Sequence, residues 1–432
     1  MATVNYLVPD GIDPAFWGGN RAFEDFLADG DTWRPVGSVT STAALYSLDT
    51  GYFLKIGGTG FTAGGGRLGD SGTITSLQIL STDGTTVLMT VSLSLAARLF
   101  NDALDTFGSG IGEMGEWLLG GNDTLNGSAA ADAMYGYGGA DRISGGAGND
   151  YIDGGAGRDV FNGGAGFDVL SFQMTHGDVN ALHGIVLNAA TGTVTDAYGN
   201  AETFTRFESF RGTQFGDVMI GSSINEVFVG LGGRDRIDGG GGFDEVQFGR
   251  DIYFGARIEG VTVNLTAGTA IDDFGRTDTL INIEAALGTD YADSLSGSAV
   301  ANRLRGGSGN DVLNGRAGND TLIGGPGRDI FVFNTALNAT TNVDIIDDFS
   351  AQDTIWLENA IFTALPTTGA LASTAFVSNT SGLAADASDR VIYERDTGML
   401  YYDSNGSAAG GRVAVAHLDH WLNLTAADFT VI

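Results

Sequence analysis

The stretch GGAGNDYIDGGAGRDVFNGGAGFDVLS, residues 145–171, is one nine-residue unit written three times. Each unit has Gly at the first, second and fourth places, Asp at the sixth and an apolar residue at the eighth. The same register extends back to Leu118, so that six units follow one another without a slip. Their acidic places are Asp123, Asp132, Asp141, Asp150, Asp159 and Asp168, and their apolar places are Leu125, Met134, Ile143, Ile152, Phe161 and Leu170.

Two further blocks repeat the pattern. The block from Gly212 has Asp217, Glu226, Asp235 and Asp244 in the acidic place, with Met219, Phe228, Ile237 and Val246 in the apolar place. The block from Gly288 has Asp293, Asn302, Asp311, Asp320 and Asp329, with Leu295, Leu304, Leu313, Leu322 and Phe331. Glu226 and Asn302 depart from Asp, and Leu231 and Arg316 replace loop glycines.

A longer repeat contains these blocks. GIVLNAATGT at 184 recurs as GVTVNLTAGT at 260, and FESFRGT at 207 recurs as IEAALGT at 283. The offset is 76 in both cases (260 minus 184, 283 minus 207), so the middle of the chain is duplicated. Its two inserts, near 172–211 and 248–287, are predicted to form strands and turns.

The nine-residue unit predicts stacked coils with a narrow core. Two units form one coil, so that the apolar places are buried in a ladder between two parallel sheets. Loops on the same side are two units apart, which stacks Asp132 on Asp150 and Asp150 on Asp168. Such columns of carboxylates repel one another unless a cation lies between them. The donors are all oxygens on flexible loops, which favours calcium over magnesium or a transition metal.

Composition excludes several classes of function. The chain has 432 residues, with 53 acidic against 21 basic, and a formal net charge of -32, which makes nucleic acid a poor partner. It has no Cys, so thiolate catalysis and zinc–thiolate sites are excluded. No segment reaches the roughly 18–20 apolar residues of a membrane span. The N-terminus lacks the pattern of a cleaved export signal, so the protein either stays in the cytoplasm or carries its export signal elsewhere.

The nonapeptide resembles the G-G-x-G-x-D-x-U-x repeat of RTX calcium-binding proteins. The resemblance implies a right-handed parallel β-roll that binds several calcium ions, each held by loop carbonyls and Asp carboxylates of turns that are two units apart. Gly136, Gly138 and Asp141 would then face the loop that ends in Asp159. The ligands so predicted are Asp123, Asp132, Gly136, Gly138, Asp141, Gly145, Ala147, Asp150, Gly155, Gly157, Asp159, Gly164, Gly166, Asp168, Asp217, Asp235, Asp244, Asp293, Gly306, Ser308, Asp311, Asp320, Gly325, Gly327 and Asp329.

The C-terminal part, residues 333–432, resembles the cap and secretion region of RTX proteins exported by type I systems, a likeness shared with serralysins. An acidic residue followed by hydrophobic ones ends the chain, Asp428 to Ile432, as in such export signals. The resemblance implies secretion by type I machinery, folding on calcium outside the cell and an extracellular or cell-surface location. A buried final strand is the alternative interpretation of these residues, and it is compatible with a signal role.

The predicted fold is mostly β: a small α+β N-terminal domain (1–117), the β-roll with its inserts (118–332) and a β-rich C-terminal cap with the secretion signal (333–432). Strands at Thr73–Leu80 and Thr86–Leu93 flank Asp83-Gly84 as a hairpin, and a helix is predicted from Leu95 to Phe107. Hairpins are also predicted around Asp396–Gly398 and Asn405-Gly406.

No catalytic motif is present. H-E-x-x-H and G-x-S-x-G are absent, and His176, His183, His417 and His420 are interpreted as surface or packing residues. The sequence therefore predicts a non-enzymatic calcium-binding protein with a structural, adhesive or host-interaction role at a cell-surface or polysaccharide ligand. The alternative is a polysaccharide-active enzyme with a carboxylate site in residues 1–117, where Glu24, Asp25, Glu113 and Glu116 are the candidates.

Overall fold

The computed structural model describes eight strand segments between residues 3 and 96, and then residues 119–173, 178–249 and 259–432. The chain divides into two compact units, Met1–Thr213 and Gln214–Ile432. The three-part division at 117 and 332 stays a prediction. The described elements are β-strands, together with two short 3-10 helices at Ser373–Ala375 and Ala426–Asp428.

The first unit contains twenty described strands. They are β1 (Thr3–Tyr6), β2 (Arg34–Pro35), β3 (Ala43–Ser47), β4 (Phe53–Thr59), β5 (Ala63–Gly64), β6 (Arg67–Leu68), β7 (Thr73–Leu80), β8 (Val87–Ala96), β9 (Thr124–Asn126), β10 (Ala133–Tyr135), β11 (Gly138–Gly139), β12 (Arg142–Ala147), β13 (Tyr151–Asp153), β14 (Ala156–Gly157), β15 (Val160–Ala165), β16 (Val169–Ser171), β17 (Val186–Asn188), β18 (Thr193–Thr195), β19 (Ala201–Thr205) and β20 (Ser209–Arg211).

Two parallel ladders run through the repeats of the first unit. One pairs β9, β12, β15 and β19 in that order, and the other pairs β10, β13, β16 and β20. Partners within the repeats belong to alternate nine-residue units, as in Ile143 opposite Phe161 and Ile152 opposite Leu170. Successive units alternate between the ladders, so two units form one coil, as the nine-residue period predicts.

The second unit contains the remaining strands. They are β21 (Val218–Ile220), β22 (Val227–Val229), β23 (Arg236–Asp238), β24 (Glu245–Gln247), β25 (Thr262–Asn264), β26 (Thr269–Ile271), β27 (Thr277–Ile281), β28 (Ala285–Leu287), β29 (Ser294–Ser296), β30 (Arg303–Arg305), β31 (Val312–Asn314), β32 (Thr321–Ile323), β33 (Ile330–Phe333), β34 (Asp344–Ile346), β35 (Thr354–Leu357), β36 (Gly369–Ala370), β37 (Phe376–Asn379), β38 (Val391–Glu394), β39 (Met399–Asp403), β40 (Arg412–His417) and β41 (Phe429–Val431).

The second unit has the same two-ladder plan. One ladder runs from β25 through β29, β31, β33 and β35 to β41, and the other from β22 through β24, β28, β30, β32 and β34 to β40. In both units every eighth-place side chain is at most 1% exposed. The predicted apolar ladder is therefore confirmed, and with it the parallel β-roll.

Each insert adds a hairpin to the roll. β17, β18 and β19 are antiparallel neighbours in the first insert, as are β25, β26 and β27 in the second. Eight consecutive strands, β17 to β24, have bounds that recur in β25 to β32 at the offset found in the sequence, as in Val186–Asn188 and Thr262–Asn264 (262 minus 186 is 76). The duplication of sequence is therefore a duplication of structure.

The N-terminal strands form an antiparallel sheet. β7 pairs with β8 as the predicted hairpin, and Leu54 and Ile56 on β4 are buried while Lys55 between them is exposed. The start of the helix predicted from Leu95 is wrong, because Leu95 and Ala96 belong to β8. The rest of the predicted helix lies outside the described residues. The four candidate carboxylates of an N-terminal enzyme also lie outside them.

The C-terminal region consists of strands, as predicted. β38, β39 and β40 form consecutive antiparallel hairpins, with Gly398 and Gly406 in their turns at φ values of 77° and 65°. The last strand, β41, lies parallel to β35, and its Phe429 is fully buried. The final residues thus form a buried strand in the folded protein.

Candidate metal centre

The carboxylates of the repeats are buried. All sixth-place side chains of the three blocks are at most 6% exposed, although they are charged or polar. A charged side chain is rarely buried to this degree unless it is paired. The stacked coils therefore need partners for these groups.

One oxygen of each carboxylate binds the neighbouring coil. The Asp141 backbone N–H donates to Asp159 Oδ1 at 2.7 Å, and the Asp150 N–H donates to Asp168 Oδ1 at 2.9 Å. The same bond joins Asp293 to Asp311 in the third block, at 2.8 Å. These bonds confirm the columns with a two-unit step that the sequence predicts.

The second oxygen has no hydrogen-bond partner in most of these carboxylates. Within the described residues, this holds for the buried Oδ2 atoms of Asp141, Asp150, Asp159, Asp168, Asp235, Asp244, Asp311, Asp320 and Asp329. A buried carboxylate oxygen without a partner is costly. A bound cation would remove that cost.

Backbone carbonyls lie beside these oxygens. A Cβ atom placed on Gly145 would lie within 3.0 Å of both Asp150 Oδ2 and the Gly163 carbonyl oxygen of the next coil. Gly306 has the same two kinds of neighbour, Asp311 Oδ2 and the Gly324 carbonyl. The first-place glycine thus keeps open a space lined by a carboxylate and by a carbonyl from the next coil. This oxygen-only lining fits calcium.

The glycine loops stack directly on one another. β11 and β14 pair in parallel with Gly139 opposite Gly157, and both glycines have positive φ values, 122° and 159°. The structure therefore brings together the loops at 136–139 and 154–157 that were predicted to share an ion. The ligand role of each residue stays a prediction.

In units with Ser or Thr in the second place, the backbone N–H of that residue donates to the side chain of the sixth-place residue of the same unit. The Ser128 N–H donates to Asp132 Oδ2 at 2.6 Å, and the Thr289 N–H donates to Asp293 Oδ2 at 2.5 Å. Ser222 and Ser298 donate in the same way to Glu226 and Asn302. Glu226 and Asn302, which replace Asp, thus both occur in units where the second-place N–H already occupies a side-chain oxygen. Asp132 and Asp293, both predicted ligands, already use the oxygen that is unpartnered elsewhere.

Three non-glycine residues stand where the loop needs a left-handed backbone. Tyr137, Leu231 and Arg316 have φ values of 64°, 63° and 70° at the second place of their units. This conformation costs an L-residue roughly 1–2 kcal/mol. The loop therefore keeps its left-handed backbone even at positions without glycine.

Sequence reasoning missed the acids that continue the columns beyond each block. The Asp168 N–H donates to Glu208 at 2.9 Å, and the Asp244 N–H donates to Glu284 at 3.0 Å. At the end of the third block, Asp320 and Asp329 donate to Asp344 and Asp353. Glu208 and Glu284 occupy equivalent positions of the duplication, which therefore carried a signal for them.

Burial changes the acidity of the columns. Desolvation raises the pKa of Asp141 to about 8 and those of Asp150 and Asp311 to about 7, and repulsion from the neighbouring acids of each column adds to the rise. The metal-free carboxylates therefore hold protons near neutral pH, which a cation must displace.

Calcium binding is accordingly expected to weaken as the pH falls. From about pH 8 to about pH 6, the midpoint of a calcium titration should rise roughly tenfold if each ion displaces one proton with a pKa near 7. Isothermal titration calorimetry with calcium at both pH values measures the midpoints. Equal midpoints would show that these carboxylates are not protonated in the metal-free protein.

No group of three His, Asp or Glu side chains in the described part of the chain is placed to hold a metal by itself. The repeat sites instead combine one carboxylate per turn with carbonyls. His417 and His420 lie edge to face at 5.9 Å, His183 is exposed, and His176 is outside the described residues. Among the described residues, no helix has the length and hydropathy needed to span a membrane.

Comparisons with known proteins agree with the repeat. The model of the RTX calcium-binding nonapeptide repeat matches residues 119–142, 135–170, 211–254, 287–321 and 296–331. No curated protein sequence matches the chain. The crystal structure of the extracellular lipase LipA from Serratia marcescens is similar at 18% identity and a TM-score of 0.20, over 72% of this chain and 40% of the lipase chain. At that TM-score the similarity carries no conclusion about activity.

Stacked coils with carboxylate-lined glycine loops define a calcium-binding β-roll. The chain contains RTX calcium-binding nonapeptide repeats in the matched ranges.

Proposed function

We propose that the chain is a secreted protein whose β-roll folds when calcium enters the sites between successive coils. The observation that carries this proposal is the set of buried Oδ2 atoms without hydrogen-bond partners, which lie beside carbonyls of the next coil in loops such as those at Gly145 and Gly306. The predicted Asp and loop-glycine ligands would hold the ions. A bound calcium would supply the positive charge that the columns lack.

The role of the folded protein is proposed to be structural, adhesive or host-interacting, without catalysis. An acidic, calcium-stiffened roll suits a surface that meets other molecules outside the cell, where calcium is abundant. The alternative enzyme in residues 1–117 stays a prediction, because no feature of the described residues favours it.

Export by a type I system is proposed from the C-terminal resemblance. Because Phe429 and Val431 are buried in β41, the machinery would have to bind the signal before the chain folds. Low cytosolic calcium would provide that condition. Export unchanged by deletion of residues 428–432 would contradict this part of the proposal.

The calcium sites are tested with a matched pair of aspartates in one block. Asp244 is fully buried with an unpartnered Oδ2, whereas Asp238, in the preceding unit, is a ninth-place residue that accepts the Gly240 N–H. We expect D244N to lose about one bound calcium ion per chain and D238N to lose none, because only Asp244 lines a site. Isothermal titration calorimetry measures the number of ions. Equal numbers for the two variants would contradict the assignment.

A further inference from the structure

We propose that an open pocket of the second unit, here called the arginine pocket, binds an acidic sugar unit of an extracellular polysaccharide. The pocket has a volume of about 660 Å³ and is lined by Gln214, Phe215, Gly216, Gly233, Arg234 and Arg276. The inference deepens the proposed adhesive role and rests on it, because that role places the ligand outside the cell. None of the lining residues is a predicted calcium ligand.

Loops of the repeat and a turn of the insert meet at the arginine pocket. The loop with Gly233 stacks on the loop two units earlier, since a Cβ atom on Gly233 would lie within 3.0 Å of the Phe215 carbonyl oxygen. The insert turn packs against the later loop, with the Phe274 ring 3.4 Å from the position of a Cβ atom on Gly232. The insert therefore adds a wall that the repeat alone does not have.

The two arginines of the pocket offer positive charge to a ligand. Arg234 and Arg276 are exposed, and neither forms a salt bridge with any residue that the structure describes. The Arg276 guanidinium lies 5.9 Å from the centre of the Phe274 ring, within cation–π distance, which restricts its motion. The chain has 21 basic against 53 acidic residues, so two unpaired guanidiniums in one pocket are unusual for it. An anion from outside would pair them.

The acids that neighbour the pocket residues along the chain are buried. Each is at most 5% exposed, and they are Asp217, Asp235, Asp272, Asp273 and Asp278. Burial raises the pKa of Asp278 to about 7 although the Arg276 charge lowers it, and burial likewise raises the pKa of Asp235. An incoming anion therefore meets the exposed guanidiniums before it meets ionised carboxylates.

The lining suits an anion that also carries hydroxyl groups. Guanidinium groups bind a carboxylate or a sulfate through paired N–H donors. Gln214 adds an amide that both donates and accepts, as a hydroxyl group requires, whereas a carboxylate only accepts. The volume is that of a small-ligand site, and the open shape leaves room for the neighbouring units of a polymer. A uronic acid or a sulfated sugar within a polysaccharide combines these properties.

The duplication supplies a matched comparison. At the offset of 76, Arg158 of the first copy corresponds to Arg234, but Asn200 corresponds to Arg276. In both copies the N–H of the turn residue, Asn200 or Arg276, donates to an Asp Oδ1 at 2.6 Å. The two turns therefore share a backbone and differ in this side chain, so the second arginine belongs to the second copy alone.

The test measures the binding of short oligosaccharides to the full chain by isothermal titration calorimetry at a fixed free calcium concentration. The probes are a hyaluronan tetrasaccharide with carboxylates, a chondroitin sulfate tetrasaccharide with carboxylates and sulfates, and neutral cellotetraose. We expect wild type to bind at least one acidic probe and not cellotetraose. R276N, which introduces the residue of the first copy, and R234A are each expected to weaken that binding about tenfold or more. The matched control, R158A, is expected to leave it unchanged.

The outcomes separate the arginine pocket from calcium-dependent folding. If the chain binds calcium but neither acidic probe, the pocket is refuted while the proposed calcium-dependent folding stands. If it binds an acidic probe through Arg276 but binds no calcium, the pocket stands and that folding is refuted. Equal weakening by R158A, or equally tight binding of a tetraglutamate peptide, would refute a saccharide-specific site. If R276N does not fold, R234A decides by the same criterion.

The two acidic probes also identify the group that is bound. Binding of the chondroitin sulfate probe alone supports a sulfated sugar as the ligand. Equal binding of both probes supports a uronic acid, because the carboxylate is the group that they share.

Discussion

Removal of calcium at about pH 8 should unfold the β-roll. The β-sheet circular dichroism of the metal-free protein is expected to fall, and its cooperative thermal transition to disappear, because ionised carboxylates such as Asp150 and Asp311 then stand in columns without counter-charge. A site with calcium at ten times its dissociation constant contributes about 1.4 kcal/mol to stability, so four sites contribute roughly 6 kcal/mol, which is comparable to the whole stability of a domain. Circular dichroism with a chelator, followed by back-titration with calcium, measures the effect.

Two controls make this expectation specific. Magnesium at equal concentration should restore much less structure than calcium, and sodium chloride at equal ionic strength should restore little, since screening does not reach buried charges. The folded-state pKa values of these acids lie above the unfolded value, so the stability of the metal-free roll is greatest at acidic pH and is lost as the pH rises through about 6 to 8. A chelated protein that keeps its full transition at about pH 8 would refute calcium-dependent folding.

Substitution of Gly145 by Ala is expected to be a strongly damaging small change in the repeats. The new methyl group would lie within 3.0 Å of Asp150 Oδ2 and of the Gly163 carbonyl, and would fill the space assigned to the ion. Overpacking of this kind costs up to about 3 kcal/mol, and the lost ion adds to that cost. Thermal denaturation in saturating calcium measures the loss of stability.

The matched control for this change is Gly241→Ala. Gly241 also lies in a repeat loop, but a Cβ placed there meets no atom within 4 Å. Its substitution should leave the melting temperature nearly unchanged and remove no calcium. If G145A and G241A melt alike, the first-place glycines are not kept small by a site between the coils.

The parts of the fold that the sequence predicted are those governed by one short period. Leu125, Ile143 and Phe161 follow from counting by nine, because each coil repeats the same contacts with the coil before it. The nine-residue count does not predict Glu202 and Glu208, because the insert separates each of them from the preceding member of its column. The duplication offset relates them to Asp278 and Glu284, so the sequence does show an acid at each of these positions in both copies.

The helix predicted from Leu95 fails for a different reason. Leu95 fits a four-residue period that continues toward Phe107, but it also ends the two-residue alternation that begins at Val87 and includes Val91 and Leu93. Pairing of β8 with β7 satisfies the backbone of that alternation, and so the strand extends to Ala96. Periodicity alone could not choose between the two patterns at a shared residue.

The inserts show that the hydrogen bond between successive column members depends on the spacing of the coils and not on the number of residues between them. The column bond joins positions 18 apart within a block, but 40 apart from Asp168 to Glu208 and 43 apart from Asp235 to Asp278, and its length stays between 2.7 and 3.0 Å. The chain leaves the coil at β17 and rejoins it, in register, at β19. The turn between β17 and β18 is therefore a natural graft point, at which a foreign peptide would be displayed on a rigid carrier while the carboxylate columns beneath it keep their alignment.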